Sequence, residues 1–307
     1  MRKKDGIVVK KKKLSTADKV FYTITYTVFI LLALVCIYPF YYLIINTISR
    51  NDYVDLGLVM YKPIGFHLKN YVNLFKLENV ANSLFISVSR TVLGTFLPLI
   101  TTAVLAYLFT KEHMKHRKFL YRMTVITMYF SAGMIPIYMN IKMLGLLNNF
   151  WVYVIPGLIR VYNMVLVKTF IESLPAALEE SAQIDGAGYA QRFIHIIFPL
   201  SKPILATVAL FSAVSSWNSY MDTLLYITDS HLYTLQFTLY EYLNQATAIA
   251  ASINSMTDMS MLDKATQIST TSVRNTMAVV TILPIICVYP FIQRYYVQGV
   301  MIGAVKG

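Results

Sequence analysis

Two long apolar stretches of this chain are separated by a polar island, ESAQIDGAGYAQRFIHIIFP, at 180–199. Glu180, Ser181 and Ala182 stand together, Gly186 follows four residues after Ala182, and Ile196 and Pro199 close the run. These residue types are suited to partner recognition rather than to bond-making. Pro175 suits the first turn of a helix, where its missing N–H costs nothing. Glu179 and Glu180 then fall near the positive dipole end, and Leu178, Ala182 and Ile184 give a partial apolar face. Gly186 stops that helix, as a residue able to adopt positive φ does. A second short helix is expected from about 189 to 198, with Tyr189, Phe193, Ile196 and Ile197 apolar. Pro199 and Pro203 set the entry into the next apolar stretch. A first helix of about eleven residues is marginal alone in water, so it must pack on something. Either the chain's own helix ends or a groove on a soluble partner would serve. The run Gly186-Ala187-Gly188 is not a phosphate loop, since it follows no strand and lacks the lysine, and no G-x-x-x-x-G-K-[ST] occurs anywhere.

A second set of residues is polar where its surroundings are not. Arg160 lies about eleven residues into an apolar stretch, near its middle at 1.5 Å per residue. Asn163 follows about a turn later, and Trp217 and Asn218 occupy a comparable depth in another stretch. Ionisable groups at such depth point to function by default. Arg160, Asn163, Trp217, Asn218 and Tyr129 are therefore candidates for a solute path. Structural alternatives stand beside this: Asn218 bridging two helices, Arg160 pairing with a partner chain. Arg90, nearer a stretch end, is expected to snorkel.

These residues sit on an apolar frame. Hydrophobic residues make up 56% of the chain and charged ones 14%, against about 25% charged in a soluble domain, so the fold class expected is an all-α membrane protein. A spanning helix needs about 20 mainly apolar residues. Six such stretches are expected, at roughly 21–47, 83–110, 119–141, 149–171, 203–227 and 275–294, the third, fourth and sixth interrupted by prolines or polar residues. The net charge of +12 is gathered at span ends, which favours a membrane over nucleic acid as the partner. Lysine and arginine crowd the tail of residues 1–20 and the 111–118 loop, whereas the loop at 142–149 offers only Lys142. The positive-inside bias then places both termini, the 111–118 loop and the 172–202 loop in the cytoplasm. The first span is too long, and lacks the small-residue site, for a cleaved signal peptide. Cys36 and Cys287 lie in apolar spans and are read as buried hydrophobes. Two outer segments remain, 48–82 and 228–274, the latter with an amphipathic stretch near 236–255 that packs on the membrane surface, on a partner or on the chain's own spans.

The 180–199 run resembles the pattern E-A-A-x3-G-x9-I-x-L-P, by which permease subunits of ABC importers dock on their ATPases. Ser181 and Phe198 are its two departures, small for small and apolar for apolar. The closing sequence QRYYVQGVMIGAVKG (293–307) is similar to that of the maltose-type second permease, and Ser216-Trp217-Asn218-Ser219-Tyr220 resembles a Trp-Asn pattern of that family. The long outer segment and the ending look closest to a subgroup associated with complex oligosaccharides. The resemblance, from about residue 20 to the end, implies a type I ABC importer permease with six spans that moves carbohydrate across the bacterial cell membrane. It implies a second permease, usually a different chain, two ATPase subunits that hold ATP and Mg, and an extracellular binding protein, with no cofactor on this chain itself. Glu180, Ser181, Ala182, Gly186, Ile196 and Pro199 would then carry ATPase coupling, Glu180 pairing with a basic ATPase residue. Sugars are held by aromatic faces with a few polar partners, which suits Tyr129, Trp217 and Asn218 in the path.

Other classes fit less well. A membrane-embedded enzyme calls for an acid/base or metal constellation, but the five histidines (His67, His113, His116, His195, His231) are scattered over four expected loops. A secondary transporter usually shows inverted repeats and intramembrane acids, and Asp222 near an outer helix end is the lone candidate. An importer of the same fold for another solute remains open, because the docking pattern is shared.

Overall fold

The computed structural model describes residues 15–77, 79–244 and 270–304. The secondary structure described is helical throughout. Among the described residues three helices are long and apolar enough to cross a bilayer unaided: α1 (Thr16–Thr47), α4 (Val80–Leu108) and α12 (Thr270–Ala304), the last qualifying over Thr271–Val288. Between α1 and α4 lie the short α2 (Asn51–Asp55) and α3 (Lys69–Lys76).

The remaining expected spans are broken rather than continuous. The third, expected over 119–141, is two ten-residue helices, α5 (Arg117–Ile126) and α6 (Met134–Met143). Its break carries Ser131 and Gly133, poor helix interiors. The fourth begins as two 3₁₀ turns, Phe150–Tyr153 and Ile155–Gly157, and bends by 44° into α7 (Val161–Glu172). Pro156 and Gly157 account for the interruption. The Leu158 carbonyl, freed by the break, accepts a hydrogen bond from the Thr101 hydroxyl of α4, as an apolar surrounding demands of irregular backbone. The polar island follows as α8 (Ala177–Ile184) and α9 (Tyr189–Leu200). A bend of 77° at Ser201 then leads into α10 (Lys202–Asn218), with Pro203 in its first turn. The short α11 (Met221–Tyr226) follows.

Packing is organised on α4, which contacts α10 and α7, while α10 also packs on α12 and α1 on α12. Gly94 permits the α4–α10 approach: a Cβ there would sit 3.2 Å from the Ser216 hydroxyl. Small residues serve this purpose between membrane helices. Towards the docking end the core gathers Ala106, Met164, Val167, Ile197 and Val208. At the other end it gathers Leu74, Val80, Trp217, Leu235 and Met277. Apart from its last turn, α1 is exposed along its apolar length, a surface for lipid or for another subunit.

Two expectations are corrected here, and one of the alternatives left open for the outer stretch is met. Cys36 and Cys287 are exposed on α1 and α12, apolar-facing rather than buried within the chain. Arg90 does not snorkel: it is 3% exposed. The described part of the outer amphipathic stretch, helical over 235–244, packs on the chain's own spans. There the Leu235 amide donates to the Ser87 hydroxyl at 2.7 Å, and Thr238 bonds Ser83 at 3.0 Å. The rest of 228–274 up to residue 269, the basic tail through residue 14 and residues 305–307 lie outside the described residues.

Candidate functional site

Two arrangements concentrate polar chemistry, one at each level of the helix bundle. The first is the α8–α9 turn. Gly186 stands at φ +81°. Its amide donates to the Gln183 carbonyl at 3.1 Å, and the Ala187 amide reaches back to the Ala182 carbonyl at 2.9 Å. These paired bonds form a Schellman motif, which needs a left-handed residue at that position. The chain thus reverses between α8 and α9 within a few residues.

Adjacent carboxylates on α8 have opposite surroundings. Glu179 faces inward: it accepts from the Tyr107 hydroxyl at 2.8 Å and from the Lys111 ammonium, and the Arg192 guanidinium lies 3.5 Å away. Arg192, itself buried, donates to the Gln183 side chain at 2.8 Å and stacks over the Tyr189 ring. One carboxylate therefore ties together the end of α4, the loop after it, α8 and α9. Glu180 and Ser181 face outward, and so does Ile184, at 86% exposure. Ala182, Asp185, Gly186, Gln191 and Ile196 line a concavity beside that face, while Pro199 is half-buried just before the 77° bend.

Burial alone would raise the Glu179 pKa. Hydrogen bonds from Lys111 and Tyr107 and the charges of Lys111 and Arg192 outweigh it and hold the carboxyl below its ordinary 4.5. A depressed carboxyl stabilises the fold above the unfolded value and loses that contribution as pH falls through the folded one. Lowering the pH below 4.5 should therefore release α8 from α4. Amide exchange in 177–184, corrected for intrinsic rates, should rise there in wild type and show no such transition in Glu179→Gln.

The second arrangement lies within the bundle. Arg90, eleventh residue of α4, pairs with Asp222 of α11 and donates to the Ser219 carbonyl at 2.9 Å. Its guanidinium carbon stands 4.6 Å from the Tyr153 ring centre. Asp222 also accepts from the Ser219 hydroxyl at 3.0 Å, and the Tyr153 hydroxyl bonds Thr223 at 2.9 Å. The pair borders a cavity of about 340 Å³ that Arg160, Ser216 and Tyr226 also line.

Of the five path candidates, only Arg160 lines this cavity. It sits at the break of the fourth span, in extended backbone just before α7, rather than in mid-helix. Asn163 is buried and bonds Ser212 at 3.3 Å, joining α7 to α10. Trp217 is 7% exposed, its indole N–H donating to the Thr281 carbonyl at 2.8 Å, so it is packed between α10 and α12. Asn218 ends α10 and accepts from Gln236 at 3.3 Å. Tyr129 is 79% exposed in the break of the third span. Sequence reasoning did not single out Tyr107, Lys111 or Arg192 at the docking turn, nor the Arg90–Asp222 pair. A clue to the pair was one intramembrane acid and one intramembrane base on different spans.

Bent spans around a polar cavity, with a reversed loop at one end of the bundle, define a membrane permease. The chain belongs to the family of binding-protein-dependent transport system inner membrane components, whose pattern covers residues 6–302. It is thus a permease component of an ABC importer of the bacterial membrane rather than a catalytic chain, and such a component implies an ATPase, a substrate-binding protein and a second permease. It is 33% identical over 290 residues to the polygalacturonan/rhamnogalacturonan transport system permease protein YtcP of Bacillus subtilis (strain 168), spanning 94% of this chain and 99% of that one. To protein LplC of the same organism it is 35% identical over 273 residues, spanning 89% and 90%. A chain in the crystal structure of a bacterial ABC transporter involved in the import of the acidic polysaccharide alginate matches with a TM-score of 0.81 and 27% identity, over 93% of this chain and 100% of that one.

Proposed function

We propose that this chain is one of two different permease subunits of an ATP-driven importer that brings oligosaccharides into a bacterial cell, coupled to its ATPase through the 180–199 loop. The observation that carries the coupling is the division of α8. Glu179 holds one face to the chain itself, while Glu180, Ser181 and Ile184 remain exposed on the other. An outward apolar residue beside an outward carboxylate, on a helix fixed in angle by Gly186, is suited to a groove on a soluble partner. Glu180 pairs there with a basic residue of the ATPase. Ala182 and Ile196 line the concave side of the turn, and Pro199 stiffens the approach to the bend.

Two ATPase subunits bind ATP and Mg and supply the energy; their closure moves this loop and the loop of the second permease. The bent fourth and fifth spans then rock the path between outward and inward openings. An extracellular binding protein delivers the sugar at the opposite end. Both termini and the 172–202 loop lie on the cytoplasmic side, in keeping with the lysines and arginines at 111–118. The sugar cargo draws on the activities that the relatives' names carry; no nucleic acid is involved.

Co-purification from native membranes in mild detergent tests this proposal. The expected result is recovery of a second permease and an ATPase, with carbohydrate uptake that requires ATP. A folded chain recovered alone, and active in uptake alone, would make it a secondary transporter.

A further inference from the structure

We infer that the cavity bordered by Arg90, Arg160 and Asp222 is a binding site for a sugar carboxylate, with Arg160 as its counter-ion. This deepens the importer reading and rests on it. The first support is the charge inventory. Two guanidiniums and one carboxylate line the cavity. That carboxylate, Asp222, is engaged by Arg90 and by the Ser219 hydroxyl. Among the described residues Arg160 takes part in none of the ion pairs. The cavity therefore holds one uncompensated positive charge at bilayer depth, where a lone charge is costly and an arriving anion restores balance.

A second, independent support is the bonding of Arg90. Its side chain is almost wholly buried, yet its Nε–H has no partner. Buried guanidinium donors are normally satisfied, and this one belongs to a residue that borders the cavity. Geometry at the break of the fourth span adds to this. Arg160 immediately precedes the first turn of α7, a helix of 12 residues, so its backbone stands at the positive end of the helix dipole.

The cavity's size and walls fit a sugar unit. Its volume of about 340 Å³ falls in the range of small-molecule sites. Tyr226 offers ring surface, and Ser215, Ser216 and Ser219 offer hydroxyls. A planar guanidinium matches a carboxylate through two parallel hydrogen bonds. The ligand class is thus an oligosaccharide bearing uronate groups, held with its carboxylate on Arg160 and its ring against Tyr226.

The test uses the assembled importer in proteoliposomes, with trigalacturonate and its fully methyl-esterified form as probes. The readout is the ratio of acid to ester uptake. In Arg160→Gln that ratio should fall about tenfold or more, equivalent to about 1.4 kcal/mol of discrimination. Arg160→Lys should retain part of the ratio, because it keeps the charge and loses the fork. A ratio unchanged by Arg160→Gln, even with both rates reduced, would make Arg160 structural and overturn the site. Wild-type uptake of neutral oligosaccharides with refusal of the acid would overturn the site and leave the importer standing. ATP-dependent uptake of no carbohydrate at all would overturn the importer reading itself.

Discussion

Asp222→Ala is expected to destabilise the folded chain by about 3 kcal/mol, the low end for breaking a buried ion pair. The loss of the attraction is only part of the effect. Arg90 is 3% exposed and cannot follow its lost partner into water, so its guanidinium would be left with the Ser219 carbonyl and the Tyr153 ring. Asp222 borders a cavity that admits water, which keeps the penalty from the top of the range. The double variant Arg90→Met/Asp222→Leu should recover most of the stability, since removing both charges removes the uncompensated one. Equilibrium unfolding in mixed micelles, without sugar, of wild type, Arg90→Met, Asp222→Leu and the double variant gives the four corners of the cycle. Additive single-variant effects would mean that the two residues stabilise the bundle separately.

The pair also marks where sequence reasoning stops. Hydropathy is enough to locate α1, α4 and α12, because in each a single continuous helix holds a long apolar window. The fourth span is apolar enough on average to pass for a continuous one, but averaging hides its break. Gly133, Pro156 and Gly157 become decisive only when the backbone that they free finds partners elsewhere, as the Leu158 carbonyl finds Thr101. Arg90 misled for a related reason. Its distance from the expected span end favoured snorkelling, but α4 begins three residues earlier than expected, and the chain returns after α10 to place Asp222 beside it. That return is a tertiary event with no local signature. Trp217 and Asn218 show the same limit: adjacent on α10, one is packed on α12 and the other is exposed. The turn at Gly186 was legible because a positive φ is a local demand that few residues meet.

At that turn, Gly186→Pro is expected to insert normally and to abolish transport. Proline holds φ near −65°, whereas residue 186 stands at +81° and its amide donates to the Gln183 carbonyl. The substitution therefore misdirects α9 relative to α8 and removes one bond of the Schellman motif. The spans themselves are remote from this change, so membrane insertion and detergent solubility should be preserved. Glu180→Lys probes the same surface without touching the backbone. Glu180 is exposed, so reversing its charge should leave the fold intact and replace attraction to a basic ATPase residue with repulsion, a rim effect worth several kcal/mol when like charges are forced together. Glu179→Gln should behave differently, because it loosens α8 from Lys111 and Arg192 rather than altering the exposed face. Purified importers carrying each change separate the roles. Glu180→Lys should lose the ATPase from the complex, whereas Glu179→Gln should keep it and show weakened coupling of ATP hydrolysis to uptake. Wild-type transport by both Gly186→Pro and Glu180→Lys would remove this loop from the coupling path.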